Sequence, residues 1–284
     1  MKTKCFTIPT TLAFAVLFFV NTQPVLALTL VTDPAANPAL RLESDTGVVQ
    51  NGSGNVSSWA DQSGLNHNAI QGVTSAQPKF INNVFNGLPS LRFDGTSDSL
   101  SLAGQVLTSQ QFSIFVVVTD TSTSGQFREI FSNWTGANST TSVYLGNTLQ
   151  NPVRLRFTDN FAGVGSLATP SNPFVLSAFS NSDGVAVYQN ESLLASRGSP
   201  LSTRNLTTPY AIGQQGTLNP AEFWKGDVGA ILVYDRQLTN AERIQTTQYL
   251  ESKYVPEPSA YLLIAFGTVG FCAARGRRQN TPRI

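Results

Sequence analysis

Hydrolysis of an acetal or ester is commonly done by two carboxyl groups set about one bond or by an imidazole that takes a proton from a serine. This chain is poor in both. His67 is its only imidazole. It lies in an Asn- and Gly-rich stretch where solvent is the expected neighbour, so a Ser-His-Asp arrangement would rest on that residue alone. Glu129, Glu191, Glu222 and Glu242 stand isolated along the sequence. No Gly-rich phosphate loop and no Cys/His cluster of metal-ligand spacing is present. The expectation is a chain without catalysis.

Carbohydrate recognition asks for less, an exposed aromatic ring beside amide or carboxylate groups. Trp134, in Asn133-Trp134-Thr135-Gly136, is the best such candidate, and Trp224 beside Lys225 is the second. Each could instead close an edge of the fold, and Trp59 reads as structural. Asp61, Asp94 and Asp98 lie in Gly/Ser/Asn-rich stretches, and hard cations take carboxylate and carbonyl oxygens from such loops. Asp-Gly and Asp-x-Ser are equally ordinary turn residues. Calcium is thus the one candidate cofactor, with no firm metal ligands.

The elements that must position these residues read as strands. Of the 284 residues, 41% are hydrophobic, 10% aromatic and only 12% charged, which excludes a disordered chain, a coiled coil and a disulfide scaffold. Short β-branched and aromatic runs bounded by Gly, Asn, Asp, Ser and Pro recur from residue 91 to residue 234. Phe112 to Thr119 (FSIFVVVT) is apolar on both sides and belongs in a central strand. Val153 to Phe157 (VRLRF) alternates, as a half-solvated antiparallel strand does. Asp183-Gly184 signals a hairpin turn between FVLSAFS and VAVYQ. One helix, Asn240 to Lys253, follows a Thr239/Glu242 capping box, with Ala241, Ile244, Thr247, Leu250 and Tyr254 along one face. Some ten strands and a terminal helix make a two-layer sandwich.

The formal charge of +1 hides an uneven distribution. Lys2, Lys4, Arg275, Arg277, Arg278 and Arg283 lie at the extremes, which leaves 12 basic against 17 acidic residues between 28 and 258, a balance of −5. Nucleic-acid backbones are bound by clustered Lys and Arg, so no nucleic-acid partner is expected.

Both ends read as addresses. Residues 1–27 form a secretory signal: Lys2 and Lys4, an apolar run from Leu12 to Val20, Pro24, and a peptidase site ending at Ala27. Residues 255–284 carry Pro256-Glu257-Pro258, an apolar run from 260 to 274, and Arg275, Arg277 and Arg278 as a membrane stop. A helix of about 15 residues is roughly 22 Å long, short of a ~30 Å hydrocarbon core unless arginines snorkel and the bilayer thins. The basic cluster on the cytoplasmic side leaves the body of the chain outside. This tail resembles the PEP-CTERM sorting signal of Gram-negative bacteria that make exopolysaccharide. The resemblance implies an exosortase-type membrane protease as partner, a transient anchor in the inner membrane, and delivery to the cell surface or extracellular matrix. Cys5 and Cys272 both fall in the terminal segments, so the mature body, residues 28–254, has no cysteine.

The body carries a second resemblance. Trp59-Ala60-Asp61-Gln62-Ser63-Gly64-Leu65-Asn66-His67-Asn68-Ala69 is similar to the W-x-D-x-S-G-x-x-N-x-A opening of LamG-like, concanavalin A-like domains. Asn86-Gly87-Leu88-Pro89 through Leu91-Arg92-Phe93-Asp94-Gly95, then Asp98 and Leu100, resembles the family's next strand. The stretch from Gly226-Asp227-Val228-Gly229 to Leu238-Thr239 and Ala241-Glu242-Arg243 resembles its closing strand and helix. The implied fold is all-β, a jelly-roll sandwich of two antiparallel sheets. The hydrolytic branch of that superfamily carries Glu-x-Asp-x-x-Glu on one strand; Glu43-Ser44-Asp45 begins the pattern, but Val48 holds the third acidic position. The functional expectation is an exported, non-catalytic binding or structural module of the polysaccharide matrix that takes up glycan. A glycan hydrolase with a site assembled from separate strands, or an adhesin with a surface protein as partner, are the alternatives.

Overall fold

The computed structural model describes residues 31–122, 127–134, 141–148, 154–158, 162–216 and 222–256. The strands in chain order are β1 (Leu40–Glu43), β2 (Val48–Gln50), β3 (Val56–Trp59), β4 (Ala69–Ile70), β5 (Lys79–Phe85) and β6 (Leu88–Asp94). Next come β7 (Leu100–Leu102), β8 (Phe112–Asp120), β9 (Arg128–Ser132), β10 (Tyr144–Thr148), β11 (Arg154–Phe157) and β12 (Ala162–Ser166). The last strands are β13 (Phe174–Asn181), β14 (Gly184–Gln189), β15 (Ser192–Arg197), β16 (Tyr210–Ile212) and β17 (Lys225–Tyr234), followed by the helix α1 (Asn240–Tyr254).

These strands make two sheets. One has the order β15-β14-β13-β8-β17-β6-β5, with β1 also paired to β17; the other runs β12-β11-β10-β9-β16-β7-β4-β3-β2. Their ladders are antiparallel. Facing apolar sides of the two sheets form the main core, where Phe112 of the eight-stranded sheet meets Phe157 of the nine-stranded one edge to face at 6.1 Å.

The run FSIFVVVT is the central strand that its composition predicts, flanked by β13 and β17. Every residue of β8 is buried, because the strand serves two cores with period 2. Ile114, Val116 and Val118 point between the sheets, whereas Phe115 and Val117 point to the opposite side. There they meet α1, which lies across the outer face of the eight-stranded sheet and buries Tyr249, Leu250 and Tyr254. The capping box forms as expected: Glu242 N donates to Thr239 Oγ1, and Thr239 N donates to Glu242 Oε2.

Three expectations need correction. The buried face of α1 takes in Thr246 and Tyr249, while Ala241 is exposed. Thr246 accepts a hydrogen bond from Ala35 N, and the Tyr249 hydroxyl donates to Glu43 Oε1 at 2.5 Å, so polar partners on the sheet side turned the helix. Strand β11 is not half-solvated, because Arg156 is only 6% exposed. The strands also number more than ten; β1 to β4 and β7 are two to four residues long, too short to establish a period.

Among the described residues no helix is long and apolar enough to cross a membrane. Ala27, Glu257, Pro258, Arg275, Arg277 and Arg278 lie outside the described residues; Pro256 is the last one described, directly after α1.

Candidate functional site

The outward face of the nine-stranded sheet carries the charged cluster of interest. In β10 and β11, Leu145, Leu155 and Phe157 face the core, so by alternation Gly146 and Arg156 face outward. Gly146 sits opposite both Glu129 of β9 and Arg156 of β11. With no side chain on Gly146, the Arg156 guanidinium reaches across β10, and its Nη1 comes within 3.4 Å of Glu129 Oε1. The same nitrogen donates to Glu222 Oε2 at 2.5 Å. Glu222 is brought there by the segment leading into β17: Glu129 N donates to the Glu222 carbonyl oxygen, and Glu129 bridges Phe223 in parallel.

Aromatic rings enclose this triad. The guanidinium carbon of Arg156 lies 4.4 Å from the Phe127 ring centroid, 4.6 Å from that of Tyr144 and 5.4 Å from that of Trp134, within cation–π range. Trp134 and Tyr144 stack at 5.4 Å. Burial raises Glu129 well above the usual carboxylate range; the neighbouring Glu222 adds to the shift, and Ser132 and Arg156 oppose it. Arg156 is held above its ordinary value although burial works against its charge, because both glutamates surround it. Glu129 is thus a sealed acidic group behind a second one, Glu222, and both hold the same arginine nitrogen. Glu129 is fully buried; Glu222, Trp134 and Phe127 are the members that meet solvent.

The sequence treated Glu129 and Glu222 as isolated, and they are neighbours only through the β9–β10–β11 register and the return of the chain before β17. The signal lay in Glu129 and Arg156, charged residues set directly against Ile130 and between Leu155 and Phe157.

The glycan-binding candidates separate. Trp134 is partly exposed beside the acidic pair. Asn133 is not available as a ligand group: its Nδ2 donates to the carbonyls of Asn205 and Thr207, and its Oδ1 accepts from Val143 N. Trp224 is fully buried in the core between the sheets, so it offers no surface platform. It enters that core because β17 begins immediately after it, and the polar neighbour Lys225 takes the exposed position.

The calcium candidates are occupied by loop hydrogen bonds. Asp61 accepts from the backbone N–H of Arg41, Ser63 and His67 and from Ser63 Oγ. Asp94 accepts from Thr96, Ser97 and Asp98, and Asp98 accepts from Asp94 N. Their oxygens face N–H and O–H donors, which does not fit a cation shell. No group of three or more His, Cys, Asp or Glu residues suited to a metal occurs among the described residues. Glu43 and Asp45 fasten α1 instead: Lys253 Nζ lies 3.0 Å from Asp45 Oδ2, and the Tyr254 hydroxyl donates to Asp45 Oδ1. His67 Nδ1 is 2.7 Å from the Ala103 carbonyl oxygen.

No protein-family model matches the sequence, and no curated protein matches it. Solved structures do share the sandwich. Trypanosoma rangeli sialidase in complex with the inhibitor DANA is 16% identical with a TM-score of 0.51, over 76% of this chain and 33% of that one. The same sialidase as its 2,3-difluorosialic acid covalent intermediate is 16% identical with a TM-score of 0.53, over 77% and 34%. An arabinofuranosidase complexed with arabinofuranosyl-α-1,2-xylobiose is 13% identical with a TM-score of 0.51, over 71% and 52%. This chain thus spans about a third of the sialidase chain and about half of the arabinofuranosidase chain. At these identities the likeness is one of fold. The expectation of a chain without catalysis is corrected by these matches: the solved structures named here that share the sandwich are a sialidase and an arabinofuranosidase. The two antiparallel sheets are therefore a β-sandwich of the kind found within those structures.

Proposed function

We propose that this chain is an exported glycan-acting protein, a concanavalin A-like jelly roll of the LamG-like type, that cleaves glycosidic bonds at Glu222. The observation that carries this reading is the Glu129–Arg156–Glu222 triad beside the partly exposed Trp134. A sugar ring stacks on the indole, and Glu222, the carboxyl that meets solvent, takes a proton from the water that attacks the anomeric carbon and passes it to the departing glycosidic oxygen. Glu129 does not touch the sugar. It positions Glu222 through Arg156, whose Nη1 meets both carboxyl groups.

The two ends supply the setting. A cleaved signal at Ala27 and a tail of Pro256, Glu257, Pro258 and an arginine stop suit surface delivery by an exosortase-type protease, with matrix polysaccharide as the substrate within reach. The test is to incubate the full chain with a panel of neutral and acidic polysaccharides and follow chain length by size-exclusion chromatography. Shortening of at least one glycan supports the reading, and Trp134→Ala should slow it. A panel left intact by the folded protein overturns it.

A further inference from the structure

The opposite face of the molecule holds a second feature that the acidic triad does not use. Where the first turn of α1 crosses β13 and β14, a cavity of about 200 Å³ is lined by Ser113, Ser180, Asn181, Tyr188, Asn240 and Arg243, among others. Its lining contains hydroxyl and amide groups, one cation and no carboxylate.

Arg243 is held as a recognition group is held. Its Nε and Nη2 both donate to Asn240 Oδ1, at 3.1 and 3.0 Å, and its guanidinium carbon stands 4.3 Å from the Tyr188 ring centroid. Tyr188 is fixed in turn by an edge-to-face contact with Phe179 at 5.7 Å. The guanidinium plane is therefore set by two neighbours before anything binds. Its remaining nitrogen, Nη1, is shielded from solvent and meets no acceptor. Among the described residues no carboxylate lies within ion-pair distance of Arg243. A shielded guanidinium N–H with no acceptor is costly, and an oriented arginine is suited to a planar, charged acceptor.

We propose that this cavity is a binding site for a carboxylate-bearing sugar, with Arg243 taking the carboxylate through Nη1 and the Ser, Asn and Tyr groups taking hydroxyls. The hydroxyl-rich lining favours a sugar acid over a bare anion, and the volume suits a single ring. The site lies on the eight-stranded sheet and α1, whereas the triad lies on the nine-stranded sheet. Each reading can therefore fail while the other stands.

The test is calorimetric titration of the full chain with glucuronate, glucose and acetate. Glucuronate should bind at least about tenfold more tightly than either of the others, a difference of about 1.4 kcal/mol. In Arg243→Gln that preference should vanish, and in Arg243→Lys, which keeps the charge but loses the fork, it should shrink. Glucuronate binding no tighter than glucose overturns the site. Acetate binding as tightly as glucuronate overturns the sugar-acid assignment. Because both comparisons are made on the unaltered protein, they decide the matter even where Arg243→Gln melts. Undiminished preference in a folded Arg243→Gln also overturns the proposal.

Discussion

A side chain on Gly146 would collide with the backbone carbonyl of Arg128 on the neighbouring strand. The β9–β10 register shifts at this point, between Leu145 and Gly146, and the close approach of the two backbones opens the path by which Arg156 reaches Glu129.

Replacing Gly146 by alanine should therefore harm both fold and site. Over-packing of this kind costs about 1–3 kcal/mol. Urea unfolding should show a lower midpoint with an unchanged slope, together with loss of glycan cleavage. An unaltered midpoint would mean that β9 and β10 are further apart than described.

The two tryptophans should behave differently. Trp224→Ala removes a fully buried indole from the main core and should cost about 3–5 kcal/mol. Trp134→Ala leaves a partly exposed position on Tyr144, so thermal melting should stay cooperative while glycan affinity falls. Loss of cooperative melting in the Trp134 variant would place that indole in the core.

Asp98 should give stability a pH dependence. Burial and the neighbouring Asp94 push its carboxyl up to about 6 from an ordinary 3.8. A carboxyl raised on folding binds its proton more tightly in the native state. Its contribution is present in full below about pH 4 and is lost as pH rises through about 6. Glu129 is raised in the same direction, so part of the decline persists without Asp98. Chemical denaturation across pH 3.5–7 should give a flatter profile in Asp98→Asn than in the parent. Superimposable profiles would refute the assignment.

The capping box offers a local check. Thr239→Ala removes the hydroxyl that accepts from Glu242 N and should cost about 1 kcal/mol. Hydrogen exchange should quicken first in the opening turn of α1.

The sequence was most legible where chemistry is local. Thr239 and Glu242 announced a helix start within four residues, Asp183-Gly184 a hairpin, and FSIFVVVT a strand buried on both faces. The motif around Trp59 and Asp61 also has a local meaning: Asp61 gathers the backbone of its own loop, and Trp59 Nε1 donates to the Glu43 carbonyl oxygen. What could not be read was anything set by register. Arg156 looks solvated in VRLRF, and only the glycine opposite it and the carboxyl two strands away make it a buried partner. Trp224 looks exposed beside Lys225 until the start of β17 is known. Glu129 and Glu222 are 93 positions apart, and a separation of that length carries no periodic signal.

Glycan cleavage by Glu222→Gln tests the central claim most directly. The account predicts that the unaltered full chain releases new reducing ends from at least one polysaccharide. It also predicts that Glu222→Gln lowers the rate about 100-fold or more, the usual scale for losing an acid–base group, while circular dichroism melting shows the protein still folded. Equal rates in the two proteins, or no release by a folded parent on any glycan offered, would contradict it.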